Sequence, residues 1–289
     1  VESSIDPYYE HLYSINLNGT GLRNLNKGDF TSSTSMADSN KYFVSNFSRV
    51  NIAPKSELRT NTGTLVLSLE KADLSQLMST GYKFPEPFKM KADDGFTDIY
   101  GVIYRPYDFD KNKKYPLIEY VYPGPQTEAV SKSFSLRMNR TDRLAQLGFI
   151  VVTLGNRGGH PARSKWYHNY GYGNLRDYGL ADKKRIAEQL ADKYAYINLD
   201  KVGIFGHSGG GFMSTAAMLV YPDFFKVAVS SSGNHDNTMY NSWWSETHHG
   251  VMEEIGEDGN LNYNYQIDVN QSLASKLKGN LMLSTGDID

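Results

Sequence analysis

The chain has 289 residues, 30 Lys and Arg against 32 Asp and Glu, no cysteine, and 39% apolar residues. Its net charge of -2 gives no electrostatic basis for binding nucleic acid or an anionic membrane surface. The lack of cysteine excludes disulfides, thiolate zinc sites and a cysteine nucleophile.

In chain order, residues 1–78 read as short strands at 11–17, 41–45 and 64–69, with turn signals such as Asn18-Gly19 and Asn61-Thr62-Gly63. Three or four such strands cannot close a sandwich or propeller, so this part is expected to be the end of a larger β structure. Residues 74–81 form a short helix and linker, and Pro85-Glu86-Pro87 marks a boundary. A hairpin around Asp93-Asp94-Gly95 follows. Strands are predicted at 115–122 and 148–154, and a helix includes 143–147. Asn156 opens a long loop rich in glycine and tyrosine, and 180–194 has helical period. The last strands are predicted at 202–205, 227–230 and 281–284. Strands alternating with helices imply a mostly parallel sheet covered on both faces, so 79–289 is expected to be one α/β domain. No apolar run is long enough to span a bilayer, and Val1-Glu2-Ser3 does not begin a signal peptide. A periplasmic or secreted location would need a leader outside these residues.

The most informative stretch is 201–221. An apolar run at 202–205 leads into Gly206-His207-Ser208-Gly209-Gly210. Phe212, Ala216, Leu219 and Val220 then recur at helical spacing until Pro222. Strand, G-x-S-x-G turn and helix form the context of a nucleophile elbow. A serine on so sharp a turn needs small neighbours. Its hydroxyl stands clear of the sheet, and the Gly209 N–H faces the space where charge develops on an attacked carbonyl. A serine nucleophile also needs a base and a group to orient it, arranged along such chains as Ser, then Asp or Glu, then His. Gly286-Asp287-Ile288-Asp289 stands where the carboxylate belongs. All seven histidines precede it, so the base is expected beyond residue 289 and the chain as given is expected to be truncated and inactive alone. His248 and His249 are the first alternatives.

Tyr122 ends a parallel strand, at the edge where α/β sites form, and a phenol can donate to an oxyanion. Tyr240 and Trp244 lie four apart and would share one face of a helix. Two other chemistries are disfavoured. The elbow lacks the glycine pattern of a dinucleotide or P-loop site, and His235, Asp236, Glu246, His248 and His249 form no H-E-x-x-H metal motif.

Lys114-Tyr115-Pro116 with Tyr122-Pro123-Gly124-Pro125, Asn156-Arg157-Gly158, Gly206-His207-Ser208-Gly209-Gly210 and Gly286-Asp287-Ile288-Asp289 occur in this order. From about residue 85 onward the chain thereby resembles the catalytic domain of the prolyl oligopeptidase family of serine peptidases, in its dipeptidyl peptidase IV branch. The resemblance implies an α/β-hydrolase fold preceded by the last strands of a β-propeller. It implies Ser208 as nucleophile, Asp289 rather than Asp287 as triad carboxylate, and Tyr122 with the Gly209 N–H as oxyanion donors. Tyr240 and Trp244 would wall a pocket for a proline side chain. The expected activity is cleavage of short peptides after Pro or Ala through an acyl-enzyme, with no cofactor and no metal. A homo-oligomer is compatible with it. That branch carries a tyrosine after its nucleophile where this chain has Gly209. The competing readings are an esterase on the same fold and an inert fragment serving as a binding module.

Overall fold

The computed structural model describes residues 6–123, 127–135, 140–264 and 266–287. They fall into two compact units, one of residues 6–87 and 131–135, the other of the remainder.

In the first unit, β1 (Thr31–Met36), β2 (Tyr42–Arg49), β3 (Ile52–Thr60) and β4 (Leu65–Lys71) form an antiparallel sheet in chain order. The turn from β3 to β4 requires its glycine. Gly63 has φ 90°, and a methyl group there would stand 2.6 Å from the Leu25 carbonyl oxygen. The strand predicted at 11–17 shrinks to Tyr13–Ser14, paired with Arg23–Asn24. Side chains and a turn take up the backbone on either side. Asn26 Oδ1 accepts from the Leu12 N–H at 2.8 Å, and the Asn16 N–H donates to the Thr20 carbonyl at 2.9 Å.

The second unit is the α/β part. Its strands are β5 (Glu86–Lys91), β6 (Asp98–Tyr104), β7 (Tyr115–Val121), β8 (Ile150–Leu154), β9 (Ile197–His207), β10 (Phe225–Ser231) and, after a small hairpin of β11 (Met252–Ile255) and β12 (Leu261–Asn264), β13 (Asn280–Ser284). Among the described residues they make a seven-stranded sheet of order β13-β10-β9-β7-β8-β6-β5. The pairs from β13 through to β8 are parallel, and β8 with β6 is antiparallel. From β7 the chain runs first to β8 on one side and then to β9 on the other. The order therefore reverses between β7 and β9, and α/β sheets bind ligands in the crevice at such a point.

Helices α2 (Leu180–Lys193) and α3 (Gly209–Val220) cover the face that carries Leu117, Val121, Val202 and Ile204. Ile186, Ala187 and Leu190 of α2 and Met213, Ala216 and Ala217 of α3 join these residues in one core. Helix α1 (Arg140–Ala145) lies at the opposite face, where Leu144 and Leu147 border an apolar groove with Ile118, Val227 and Val229. Helix α3 is buried from Gly210 to Leu219, which explains why its sequence is apolar nearly all round. The Asn156-Arg157-Gly158 motif is anchored from α2. The Asp182 carboxylate accepts from the Arg157 N–H at 2.9 Å and from the guanidinium at 2.7 Å.

One buried group sets a pH dependence for the fold. Glu119, in the middle of β7 between Val152 and Ile204, is fully buried, and neither carboxylate oxygen has a hydrogen-bond partner. Burial pushes its carboxyl well above the ordinary range, against the pull of the buried Lys183 ammonium. Lys183 donates to the Leu154 carbonyl. A carboxyl whose folded pKa is raised holds a proton that the unfolded chain releases. Its stabilising contribution is complete below the ordinary carboxylate range and is lost as pH rises through the folded value. Glu119→Gln keeps the shape and cannot ionise. We expect the variant to gain stability over wild type progressively between about pH 5 and about pH 8, measured by urea unfolding at each pH. A pH-independent difference would show that Glu119 ionises as freely in the fold as outside it.

Candidate active site

Ser208 stands between β9 and α3 with φ 55° and ψ -122°. A positive φ is costly for any residue with a Cβ, about 1–3 kcal/mol, and persists only where the surroundings enforce it. Here they do. The Ser208 N–H donates to the Ser231 carbonyl at 2.8 Å, and the Phe212 N–H donates to the Ser208 carbonyl at 3.0 Å, starting the helix. Neighbouring glycines allow the close approach. A methyl at Gly206 would meet the Val121 oxygen at 2.4 Å, and one at Gly210 the same oxygen at 2.1 Å. The first N–H groups of α3, that of Gly209 among them, have no intrahelical acceptor and carry the positive end of the helix dipole.

Register brings the second group. Gly206 of β9 is opposite Val121 of β7, so Tyr122 and Ser208 leave adjacent strands at the same edge of the sheet, at the switch point. Both border a cavity of about 170 Å³ that is also lined by Tyr178, Gly209, Phe212, Asn234, Tyr240 and Trp244. The Tyr178 hydroxyl donates to the Pro123 carbonyl at 2.7 Å and so fixes the chain just after Tyr122. Burial, and then the Glu128 charge, raise the Tyr178 phenol far above its usual range, so it stays protonated as a donor.

Tyr240 and Trp244 meet edge to face, with ring centroids 5.8 Å apart. They do so by a different route from the shared helical face expected. Helix α4 is Ser242–His249, and Tyr240 precedes its cap, Asn241, whose Oδ1 accepts from the Trp244 N–H at 3.1 Å. Trp244 packs on Leu175, Tyr178 and Ile267 and touches the His248 ring at 4.9 Å. Burial, and then His168, lower the His248 pKa, which leaves the ring neutral near pH 7. Among the described residues no histidine hydrogen-bonds the Ser208 hydroxyl, and no group of three His, Asp or Glu could hold a metal ion. Asp289 lies outside the described residues. Asp287 is described and exposed, three residues past the end of β13. Arg176 also borders the cavity, but its charge is spoken for. It forms a two-point pair with Asp177 at 2.7 and 2.9 Å and donates to the Val269 carbonyl at 3.1 Å.

The motif and the aromatic pair lead the sequence reading to Ser208 and to Tyr240 and Trp244, all of which border this cavity. Tyr178, Phe212 and Asn234 escaped that reading. Phe212 is part of the apolar period of α3, and Tyr178 sits in a loop with no period at all.

The family model that matches residues 134–289, more than half of the chain, is the prolyl oligopeptidase family. The chain belongs to this family. Among curated relatives, dipeptidyl peptidase 8 of Homo sapiens is 33% identical over 174 residues, covering 60% of this chain and 19% of that protein. The probable dipeptidyl-aminopeptidase B of Ajellomyces dermatitidis is 31% identical over 215 residues, covering 72% of this chain and 23% of that protein. The chain thus spans about a fifth of the length of these relatives. In fold it is similar to the crystal structure of Porphyromonas gingivalis dipeptidyl peptidase 4, with TM-score 0.78, 22% identity, and coverage of 98% of this chain and 39% of that one. The prolyl oligopeptidase fold so assigned comprises an α/β-hydrolase domain and, in the first unit, antiparallel strands in keeping with part of a propeller.

Proposed function

We propose that the whole protein is a serine peptidase that cleaves short peptides after proline or alanine through an acyl-enzyme. The observation that carries this reading is Ser208, held at φ 55° at the sheet's switch point beside Tyr122 in an aromatic-walled cavity. Family membership and relatives named as dipeptidyl peptidases support it.

In this mechanism the Ser208 hydroxyl attacks the scissile carbonyl and gives its proton to a histidine that follows the triad carboxylate, Asp289. The oxyanion that forms accepts hydrogen bonds from the Tyr122 hydroxyl and the Gly209 N–H. One such donor is worth about 2.7–4 kcal/mol of barrier. The protonated histidine then passes its proton to the leaving amine as the C–N bond breaks, and the acyl-enzyme is hydrolysed by the same steps with water. Tyr240 and Trp244 offer aromatic faces and edges to the flat, apolar ring of a proline at the acyl side of the bond.

The test is a panel of X-Pro, X-Ala and X-Leu chromogenic peptides with an acyl ester beside them, assayed on the whole protein. Proline or alanine peptides are expected to give the highest kcat/KM. A leucine preference would overturn the specificity, and turnover of the ester alone would make the protein an esterase.

A further inference from the structure

The elbow holds glycine at 206, 209, 210 and 211, and three of the four are there because nothing else fits. Added methyl groups would stand 2.4 Å from the Val121 oxygen at Gly206, 2.1 Å from it at Gly210, and 2.6 Å from the Ser231 oxygen at Gly211. All three are contacts with backbone, which cannot swing aside. Gly209 is different. A methyl there would meet nothing within 4 Å, and the residue has no positive φ that would call for glycine. It is also the first residue of α3, and glycine in a helix is up to about 1 kcal/mol less favourable than alanine. Neither packing nor backbone conformation accounts for glycine at this position. The open space it leaves belongs to the cavity shared by Ser208, Tyr122, Tyr240 and Trp244.

We infer that Gly209 is a specificity-determining position. Its missing side chain keeps the acyl-side pocket open next to the nucleophile, so that the pocket takes residues bulkier than proline, such as phenylalanine, alongside proline itself. This rests on Ser208 being the nucleophile, as proposed above. Tyr240 and Trp244 bound the pocket from α4 and the turn before it, and among the described residues no atom lies within 4 Å of where a side chain at 209 would begin. A large residue there would fill that side from the first turn of the helix.

The experiment measures covalent labelling of Ser208 in the whole protein by two dipeptide diphenyl phosphonates, one with the phosphonate analogue of proline at the reacting position and one with that of phenylalanine. The readout is the ratio of the two labelling rates within each variant. Any change in the Gly209 N–H as oxyanion donor affects both probes and cancels. Wild type should accept both probes. Gly209→Phe should lower the rate for the phenylalanine probe at least about tenfold more than that for the proline probe, the scale on which pocket size discriminates. Gly209→Ala should fall between the two. Thermal melts of each variant identify any that fail to fold, and the alanine variant, which meets no neighbour, carries the comparison if the larger one does. Labelling with the same ratio in all three proteins would overturn the inference and leave the nucleophile standing. No labelling of Ser208 by either probe in wild type would overturn the nucleophile, and the inference with it.

Discussion

Changing Ser208 to alanine in the whole protein is expected to lower kcat by roughly 10⁴–10⁶-fold, leaving only what the oxyanion donors and substrate binding supply. The fold should barely notice. Ser208 is half-buried, and its structural bonds are made by its backbone, the N–H to Ser231 and the carbonyl from Phe212. Alanine inherits the same φ of 55° and the same steric cost. Ser208→Gly supplies the contrast. It should be equally inactive, yet more stable than the alanine variant by a fraction of the 1–3 kcal/mol that a non-glycine residue spends in such a conformation. Turnover of the peptide panel and thermal melts of the two variants separate chemistry from strain. Parent-like turnover by Ser208→Ala would remove the elbow from the mechanism.

Gly210→Ala should be nearly as damaging for another reason. Its methyl would stand 2.1 Å from the Val121 carbonyl oxygen, and 3.1 Å from the carbonyl carbon. Backbone must move, either α3 away from the sheet or β7 away from β9, and overpacking of this kind costs about 1–3 kcal/mol. Either movement shifts Ser208 relative to Tyr122, and misplacement by about 1 Å can cost 10²-fold in rate. We therefore expect both a lower melting temperature and a loss of at least about 10²-fold in kcat/KM. The identical substitution at Gly209, where the space is open, should leave the melting temperature the same or higher. Equal effects at the two positions would show that the elbow is not held by contact with β7.

The elbow was legible because each of its features is local. The apolar run, the small residues and the helical period lie within about twenty consecutive positions, in the order that the turn requires. Tyr122 was legible as the end of a strand, but its place beside Ser208 depends on the pairing of Gly206 with Val121, which no local pattern encodes. β1 and β3 went unread because Thr31–Met36 and Ile52–Thr60 are mostly polar, and half-exposed strands of that composition show no apolar alternation. Spacing placed Tyr240 and Trp244 on one helical face, whereas the helix begins at Ser242 after the Asn241 cap and the two rings meet edge to face across that cap. Glu119 was read only as one letter of a buried strand. Its burial follows from the strands on both sides and the helix over it, which spacing along the chain does not reveal.

The strand order also bears on how the chain is made. After β8, the next strand of the sheet, β9, takes the free edge of β7, and β10 and β13 then add outward in turn, β10 on β9 and β13 on β10. A ribosome delivers them in that sequence, so each can dock as it emerges without displacing an earlier neighbour. The seat of Ser208 is nevertheless incomplete when Ser208 itself appears. Its N–H waits for the Ser231 carbonyl, and Gly211 for the backbone at Ser231 and Gly233. Until some twenty-five further residues have left the ribosome, the bond that holds the Ser208 N–H is missing and the turn is free to relax. The strained turn is thus completed by the strand that follows its helix, so the cost of the positive φ at Ser208 is met by the docking of β10 and not by the local sequence.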